Sequence, residues 1–275
     1  MRPDFKLAEL TRYAGVGKSS YYYHRRGLTA TDKYAELRSE IREIFEENEG
    51  RYGYRRIAGE LDRRGIHINH KTVYRLMREM SLKAIRSRRR YKSYKGDFGK
   101  HAPNLLSRDF HAQRPNEKWA TDVSEFRIKD KRIYLSPIID LYNAEIIAYE
   151  ISASPNMVMI QKMLKTACMR LDGEESPILH SDQGFQYQHH LYHRILKENG
   201  IVASMSRKGN CLDNGAVEGF FGQLKSELFY VRKYNDVDTF VTDLKDYIDY
   251  YNNKRIRQSL GYLSPVEFRE AGCTI

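Results

Sequence analysis

The stretch ILHSDQGFQY, residues 178–187, runs from two apolar residues through a His-Ser-Asp onto a glycine. Pro177, Ile178 and Leu179 read as a buried strand, and Gly184 permits the sharp turn that follows it. Asp182 therefore stands at a strand tip. In open α/β sheets chemistry gathers at such tips, so this acid has two readings: a turn former capping its own loop, or a member of a site.

The surroundings supply the sheet. KWATDVSEFRI (118–128) and KRIYLSPIIDLYN (131–143) read as strands of a hairpin that turns at Lys129 and Asp130, and EIIAYEIS (145–152) reads as a third. NMVMIQKMLKTACMRL (156–171) carries the period of an amphipathic helix. It is followed by the strand at 177–181, a helix near 188–199, the short strand IVASMS and a long helix from about 213. This order predicts an α/β fold, a mixed five-stranded sheet flanked by helices on both faces, which is the order of a ribonuclease H-like core. Pro137, inside the second strand, predicts an edge or a bulge.

Two more acids join Asp182. Asp122 follows Trp119 and Ala120 and precedes Val123 and Phe126, a setting that predicts burial, where an ionised carboxylate is costly without a partner. In NGAVEGFFGQLKSEL (214–228), Val217, Phe220, Phe221 and Leu224 form an apolar face with Glu218 among them. Lys225 lies seven residues on, two helical turns, and so points the same way as Glu218. Singly, these acids read as a buried strand residue, a turn former and a surface helix residue. Together, two strands and a helix offer three carboxylates, a donor set for hard divalent cations. Two such ions roughly 3.5–4 Å apart can stabilise both the attacking and the leaving oxygen of an in-line phosphoryl transfer.

The net charge of +11 is concentrated. Residues 1–50 hold nine cations and nine anions, residues 51–100 sixteen against four, and residues 101–275 twenty-two against twenty-three. In KAIRSRRRYKSYK, cations including Arg86, Arg88, Arg89, Arg90 and Lys92 follow one another without an acid, and two tyrosines offer stacking faces. A polyanion is the natural partner. Ahead of this run lie two helix-turn-helix outlines. Residues 6–24 give two short helices around Gly15, with Leu7, Leu10 and Tyr13 or Ala14 on one face. A second outline has a helix over roughly 33–49, then YGYRRIAGELDRRG, a turn at GIHIN and HKTVYRLMREM, with Asn69 as N-cap. In that last helix Val73, Leu76, Met77 and Met80 pack inward, leaving Lys71, Thr72, Arg75 and Arg78 to reach a DNA groove.

Length and the 41% hydrophobic content allow a sizeable core, and no run approaches a membrane helix or a signal peptide. Cys168, Cys211 and Cys273 are far apart and suggest neither a disulfide framework nor a thiolate zinc site. The predicted organisation is a first helix-turn-helix over 1–30, a second over 31–83, a basic linker over 84–114, a catalytic core over 115–230 and a helical segment over 231–275.

WATDVSEF, HSDQGFQY, the NGAVEGFFGQLKSEL helix with thirty-five residues between Asp182 and Glu218, and YNNKRIRQSLGYLSP (251–265) together resemble the DDE transposases of bacterial insertion sequences. The resemblance is to the OrfB-type family with two overlapping reading frames, whose core is similar to that of retroviral integrase, and it covers essentially the whole chain. It implies that Asp122, Asp182 and Glu218 are the catalytic acids and the ligands of a two-metal Mg²⁺ site, or of Mn²⁺. Lys225 would contact the terminal nucleotides, and His180, Gln183 and Asn214 would be near neighbours. The implied substrate is double-stranded DNA, both inverted-repeat ends and target, bound by a homo-multimer that works fused to or associated with the upstream reading-frame product. The implied place is the bacterial cytoplasm, at the nucleoid. Many members have a histidine two residues after the arginine of the C-terminal motif, whereas Arg255 here is followed by Ile256 and Arg257, so no role is assigned there. His189, His190 and His193 lack cysteine partners and read as surface residues, and Glu125 and Asp140 read as structural. A tyrosine recombinase would need an Arg-His-Arg-Tyr constellation that nothing here matches. A DNA-binding regulator that occupies the ends without cutting them is the rival from another class.

Overall fold

The computed structural model of the protein describes residues 5–29, 32–85, 102–207 and 211–272. Arg86, Arg88, Arg89, Arg90 and Lys92 lie outside these. At the centre is a mixed sheet of β1 (Lys118–Thr121), β2 (Ser124–Ile128), β3 (Lys131–Asp140), β4 (Ile146–Ser152), β5 (Ile178–Ser181) and β6 (Val202–Met205). β3 pairs antiparallel with β1, β2 and β4, while β5 runs parallel to β1 and to β6.

The five strands expected from the sequence are therefore six segments, because the first is broken at Asp122 and Val123. Pro137 accounts for the break. Thr121 faces Ile138 and Ser124 faces Leu135, so Asp122 and Val123 stand opposite Pro137 and Ser136. Proline has no N–H for a ladder. Within the break the Val123 N–H donates to Asp122 Oδ1 at 2.7 Å. Pro137 is not at an edge, since β3 has neighbours on both sides, but the register of β3 with β4 does shift next to it, between Ile138 and Ile139.

Two helical layers cover the sheet. On one face α6 (Met157–Cys168) and α7 (His190–Glu198) pack on Trp119, Ile138 and Leu179. On the other, α8 (Gly215–Leu224) and α9 (Val237–Asn253) bury Val217, Phe220, Phe221, Leu224, Phe240 and Leu244 against Ala120, Phe126 and Leu135. The expected boundary at 230/231 falls inside this second layer. The long helix expected from about 213 is three pieces: a 3₁₀ turn over Cys211–Asn214, α8, and a π-helical turn over Lys225–Phe229.

The N-terminal helices are α1 (Leu7–Tyr13), α2 (Lys18–Thr29), α3 (Ala35–Glu47), α4 (Tyr54–Arg63) and α5 (His70–Glu79). In α1 the inward residue is Thr11, and both Tyr13 and Ala14, the alternatives expected to complete the packed face, are exposed, Tyr13 at 96%. α3, α4 and α5 form a core of Ile41, Ile44, Ile57, Leu61, Val73, Leu76 and Met77, and the Asn69 side chain caps α5 by accepting from the Lys71 N–H. Ile256 belongs to the same core. The unit is thus seated on the C-terminal segment, where Tyr52 and Arg63 both bond to main-chain carbonyls, those of Lys254 and Tyr262.

Candidate active site

Parallel pairing brings the two aspartates together. Lys118, Trp119 and Ala120 face Ile178, Leu179 and His180, a constant offset that sets Asp122 beside Asp182 two steps further on. Strand alternation turns both away from Trp119 and Leu179, toward the layer of α8. Asp122 is buried, and its carboxyl is pushed up to about 8, first by burial, then by the charge of Asp182, with a smaller push from Glu218. Burial also raises Asp182, whose Oδ1 accepts the Gly184 N–H at 2.8 Å. Gly184 has an ordinary φ, so space and not handedness demands glycine: a Cβ there would lie 2.9 Å from that same oxygen.

α8 supplies the rest. Val217, Phe220, Phe221 and Leu224 anchor it, which leaves Glu218 half-buried at the rim, its carboxyl raised by burial. Lys225 lies over the Phe126 ring at 5.3 Å and the Phe221 ring at 5.9 Å. Burial lowers its ammonium, while the charges of Asp122 and Glu125 oppose that. Asp122, Asp182, Glu218 and Lys225 are therefore linked electrostatically around Asp122.

The three neighbours brace the segments around these acids. His180 is buried behind Asp182, with Nδ1 2.8 Å from Ser204 Oγ, and burial lowers its imidazolium. The Gln183 amide donates to the Ser206 carbonyl at 3.0 Å, and its own carbonyl accepts from Gln188, so the loop after Asp182 is held at both sides. Asn214 reaches the Thr121 carbonyl at 3.4 Å, tying the start of α8 to the strand carrying Asp122.

Two charge clusters beside the site escaped the sequence reading. Asp213, fully buried, accepts from Arg207 Nε at 2.9 Å, Arg108 Nε at 3.0 Å and Asn104 Nδ2 at 3.1 Å, and the Arg207 side chain foremost holds its carboxyl well below the usual range. Residues 104–108, inside the stretch expected as the basic linker, are thereby fastened at the start of α8. The second cluster joins Glu227 to Arg255, a residue to which the sequence pattern gives no role. Adjacency of Asp213 to Asn214 was the only sequence signal for the first, and the C-terminal motif itself for the second. Glu125 and Asp140, read from the sequence as structural, are bonded to Tyr134 and Arg269.

On α5, Lys71, Arg75 and Arg78 are exposed opposite the buried Val73, Leu76 and Met77. Arg75 lies 3.5 Å from Glu79 and over the Tyr34 ring. Tyr74, 52% exposed on the same face, is an aromatic contact the charge pattern did not reveal.

Among the described residues no three His, Cys, Asp or Glu side chains form a ready cage for a metal ion. Asp122 and Asp182 each accept a nearby backbone N–H on one carboxyl oxygen. The donor set nevertheless fits a hard divalent cation: all-oxygen, partly desolvated, and electrostatically strained in a way that positive charge relieves.

Known proteins resemble this chain over most of its length. Integrase core domain models match residues 112–211 and 218–272, and an HTH-like domain model matches 33–91. The chain is 51% identical over 269 residues to the putative transposase InsK for insertion sequence element IS150 of Escherichia coli K12, covering 98% of this chain and 95% of that protein. It is 42% identical to the probable transposase for IS1353 of Shigella flexneri, covering 98% of this chain and 53% of that longer protein. It is also 31% identical to the transposase InsF for IS3A of E. coli K12, over 96% of this chain and 94% of that one. Among the described residues no helix is long and apolar enough to cross a membrane. With half its residues identical to an insertion-sequence transposase over nearly the full length of both, the chain belongs to the transposases of bacterial insertion sequences, DNA-binding strand-transfer proteins built on an integrase core.

Proposed function

We propose that this transposase cuts DNA at the inverted-repeat ends of its own element and joins the freed 3′-hydroxyl to a second phosphodiester, with Asp122, Asp182 and Glu218 as the catalytic acids. The observation that carries this is the parallel register setting Asp122 beside Asp182 under the helix that bears Glu218. These carboxylates would hold Mg²⁺ or Mn²⁺ in a two-metal site, and such ions supply Lewis-acid activation of the attacking oxygen and stabilisation of the leaving one. The chain's own work is placement. Two strand tips and α8 hold the acids, and the Gly184 turn gives the DNA backbone room to approach. Lys225, propped by two aromatic rings, meets the phosphates of the terminal nucleotides. No covalent protein–DNA intermediate is required.

Recognition falls to the exposed face of α5, with Lys71, Arg75 and Arg78, and to Arg86, Arg88, Arg89, Arg90 and Lys92 of the basic linker. Two ends must be joined, so the working form is a homo-multimer on DNA. Its place is the bacterial cytoplasm, at the nucleoid. A relative that aligns with this chain over only 53% of its own length supports the reading that the upstream reading-frame product works joined to it.

The test is cleavage and joining of a labelled duplex ending in the element's inverted repeat, with Mg²⁺, by the wild type and Asp182→Asn. Release of a 3′-hydroxyl by the wild type alone is expected. Binding without cleavage by both proteins, also after fusion to the upstream frame, would leave the regulator reading instead.

A further inference from the structure

α8 has two faces with different duties. Glu218 of α8 and Lys225, the first residue of the π-helical turn that continues it, both face Asp122, while Glu227, two residues further into that turn, faces Arg255 instead. On that far side, within the π-helical turn that follows α8, Glu227 is buried and gripped twice by Arg255: Nε donates to Oε2 at 2.9 Å and Nη2 to Oε1 at 2.6 Å. Tyr247 donates to Oε2 at 3.0 Å, and Arg56 of α4 lies 3.9 Å from Oε1. Arg255 is itself 1% exposed and splinted. The Tyr52 hydroxyl donates to the Lys254 carbonyl at 3.2 Å and accepts from the Ile256 N–H at 2.9 Å, bracketing the arginine in the chain.

An apolar helix face sets rotation only to within the width of its stripe, because hydrophobic contact is non-directional. A planar guanidinium bonded to both oxygens of a carboxylate does fix rotation. A buried ion pair is also weak grounds for stability, since apolar residues of similar volume often serve as well, so its presence calls for another reason. We infer that Arg255 is a positioning residue for the reaction: its bidentate hold on Glu227, splinted by Tyr52 of the helical unit, sets the rotation of α8 that turns Glu218 and Lys225 toward Asp122. This rests on the reading of Glu218 as the third catalytic acid.

The test uses the full chain on the labelled repeat-end duplex, well below the melting temperature of each variant, with Glu218→Gln as the control. Arg255→Lys keeps the charge and loses the fork, Tyr52→Phe removes one hydroxyl, and Glu227→Met/Arg255→Met replaces the pair by apolar bulk. For folded variants, end affinity should stay within about twofold of the wild type, while cleavage falls roughly 10- to 100-fold and half-maximal cleavage needs more Mg²⁺. A folded Met/Met double variant, or Arg255→Lys, with wild-type cleavage and Mg²⁺ dependence would make the pair merely structural and overturn the inference. If substitutions of the pair prevent folding, Tyr52→Phe decides: wild-type Mg²⁺ dependence in that variant overturns the inference equally. An active Glu218→Gln would instead sink the reading of the acids, a failure distinguishable from this one.

Discussion

Asp122 and Pro137 stand opposite each other across neighbouring strands, at the step where the ladder between them opens. A residue that cannot donate faces the acid that must leave the strand. Pro137→Ala restores an N–H at this step and gives the ladder a way to close. The lost rigidity of proline, about 0.4–1 kcal/mol, roughly offsets one new hydrogen bond of about 1 kcal/mol, so stability should hardly change. Cleavage of a repeat-end duplex should fall by about tenfold at unchanged end affinity, because Asp122 is drawn back into the strand. Wild-type cleavage by this variant would show that the break does not place the acid.

Asp122 works against the fold that holds it. Its carboxyl is raised from an ordinary value of 3.8 to about 8, so the folded state favours the protonated form. The sign follows: the penalty is absent below the ordinary value and grows as pH rises toward 8. Asp122→Asn should be more stable than the wild type at pH 7 in chelator, by an amount of the order of a few kcal/mol, with the gain vanishing near pH 4. Mg²⁺ should raise the melting temperature of the wild type and not of the variant. Calorimetry across pH, with and without Mg²⁺, reads both effects, and equal Mg²⁺ responses would remove Asp122 from the ligand set.

The sheet was legible because apolar runs such as Ile178–Leu179 and the amphipathic period of 156–171 are local signals of burial. The break at Asp122 was not, since it arises from pairing with Pro137, a partner fifteen residues away whose effect depends on register. The acids were legible as a spaced set. Their supports were not, because Asp213 meets Arg108 and Glu227 meets Arg255 only through the tertiary fold. Helix α5 was readable from its cap and its apolar positions, whereas the face expected in α1, completed by Tyr13 or Ala14, was not, since this short helix leaves both in solvent.

Gly59 sits in α4 where a Cβ would come within 2.3 Å of the Tyr262 ring. That ring belongs to the C-terminal segment on which the helical unit rests, and Tyr262 is itself at a positive φ of 63°, which limits its retreat. Gly59→Ala should destabilise by about 1–3 kcal/mol through overpacking. Gly222→Ala, in α8 with nothing near the added Cβ, should instead stabilise by roughly 0.5–1 kcal/mol. Chemical denaturation of both variants checks the opposite signs, and an unperturbed Gly59→Ala would mean the two segments separate freely.

The Glu227 and Arg255 pair predicts acid sensitivity. Burial alone would raise the Glu227 carboxyl, but the Arg255 guanidinium on both oxygens outweighs it and holds the group below its ordinary 4.5. A lowered carboxylate contributes stability that is present above its unfolded value and lost as pH falls through the folded one. The wild type should therefore lose stability as pH drops below about 4.5, and the Glu227→Met/Arg255→Met variant should lose less over the same window. Parallel pH profiles for the two would show that other carboxylates govern the acid transition.

DNA affinity should owe most to the segment that holds most of the charge. Residues 51–100 carry sixteen cations against four anions, and Arg88, Arg89 and Arg90 stand consecutively within them. Removing one cation from a phosphate should lower the slope of log affinity against log salt by roughly 0.9, so replacing all three arginines by alanine should lower it by up to about 2.7. Lys71→Ala and Arg78→Ala on α5 should each lower it by about one such step and, where the side chain reads a base edge, should also relax sequence preference. Fluorescence anisotropy across a salt series, with repeat-end and scrambled duplexes, separates the two effects. An unchanged slope in the triple-alanine variant would move the electrostatic footprint onto the core, where the exposed guanidinium groups of Arg108 and Arg207 flank the start of α8.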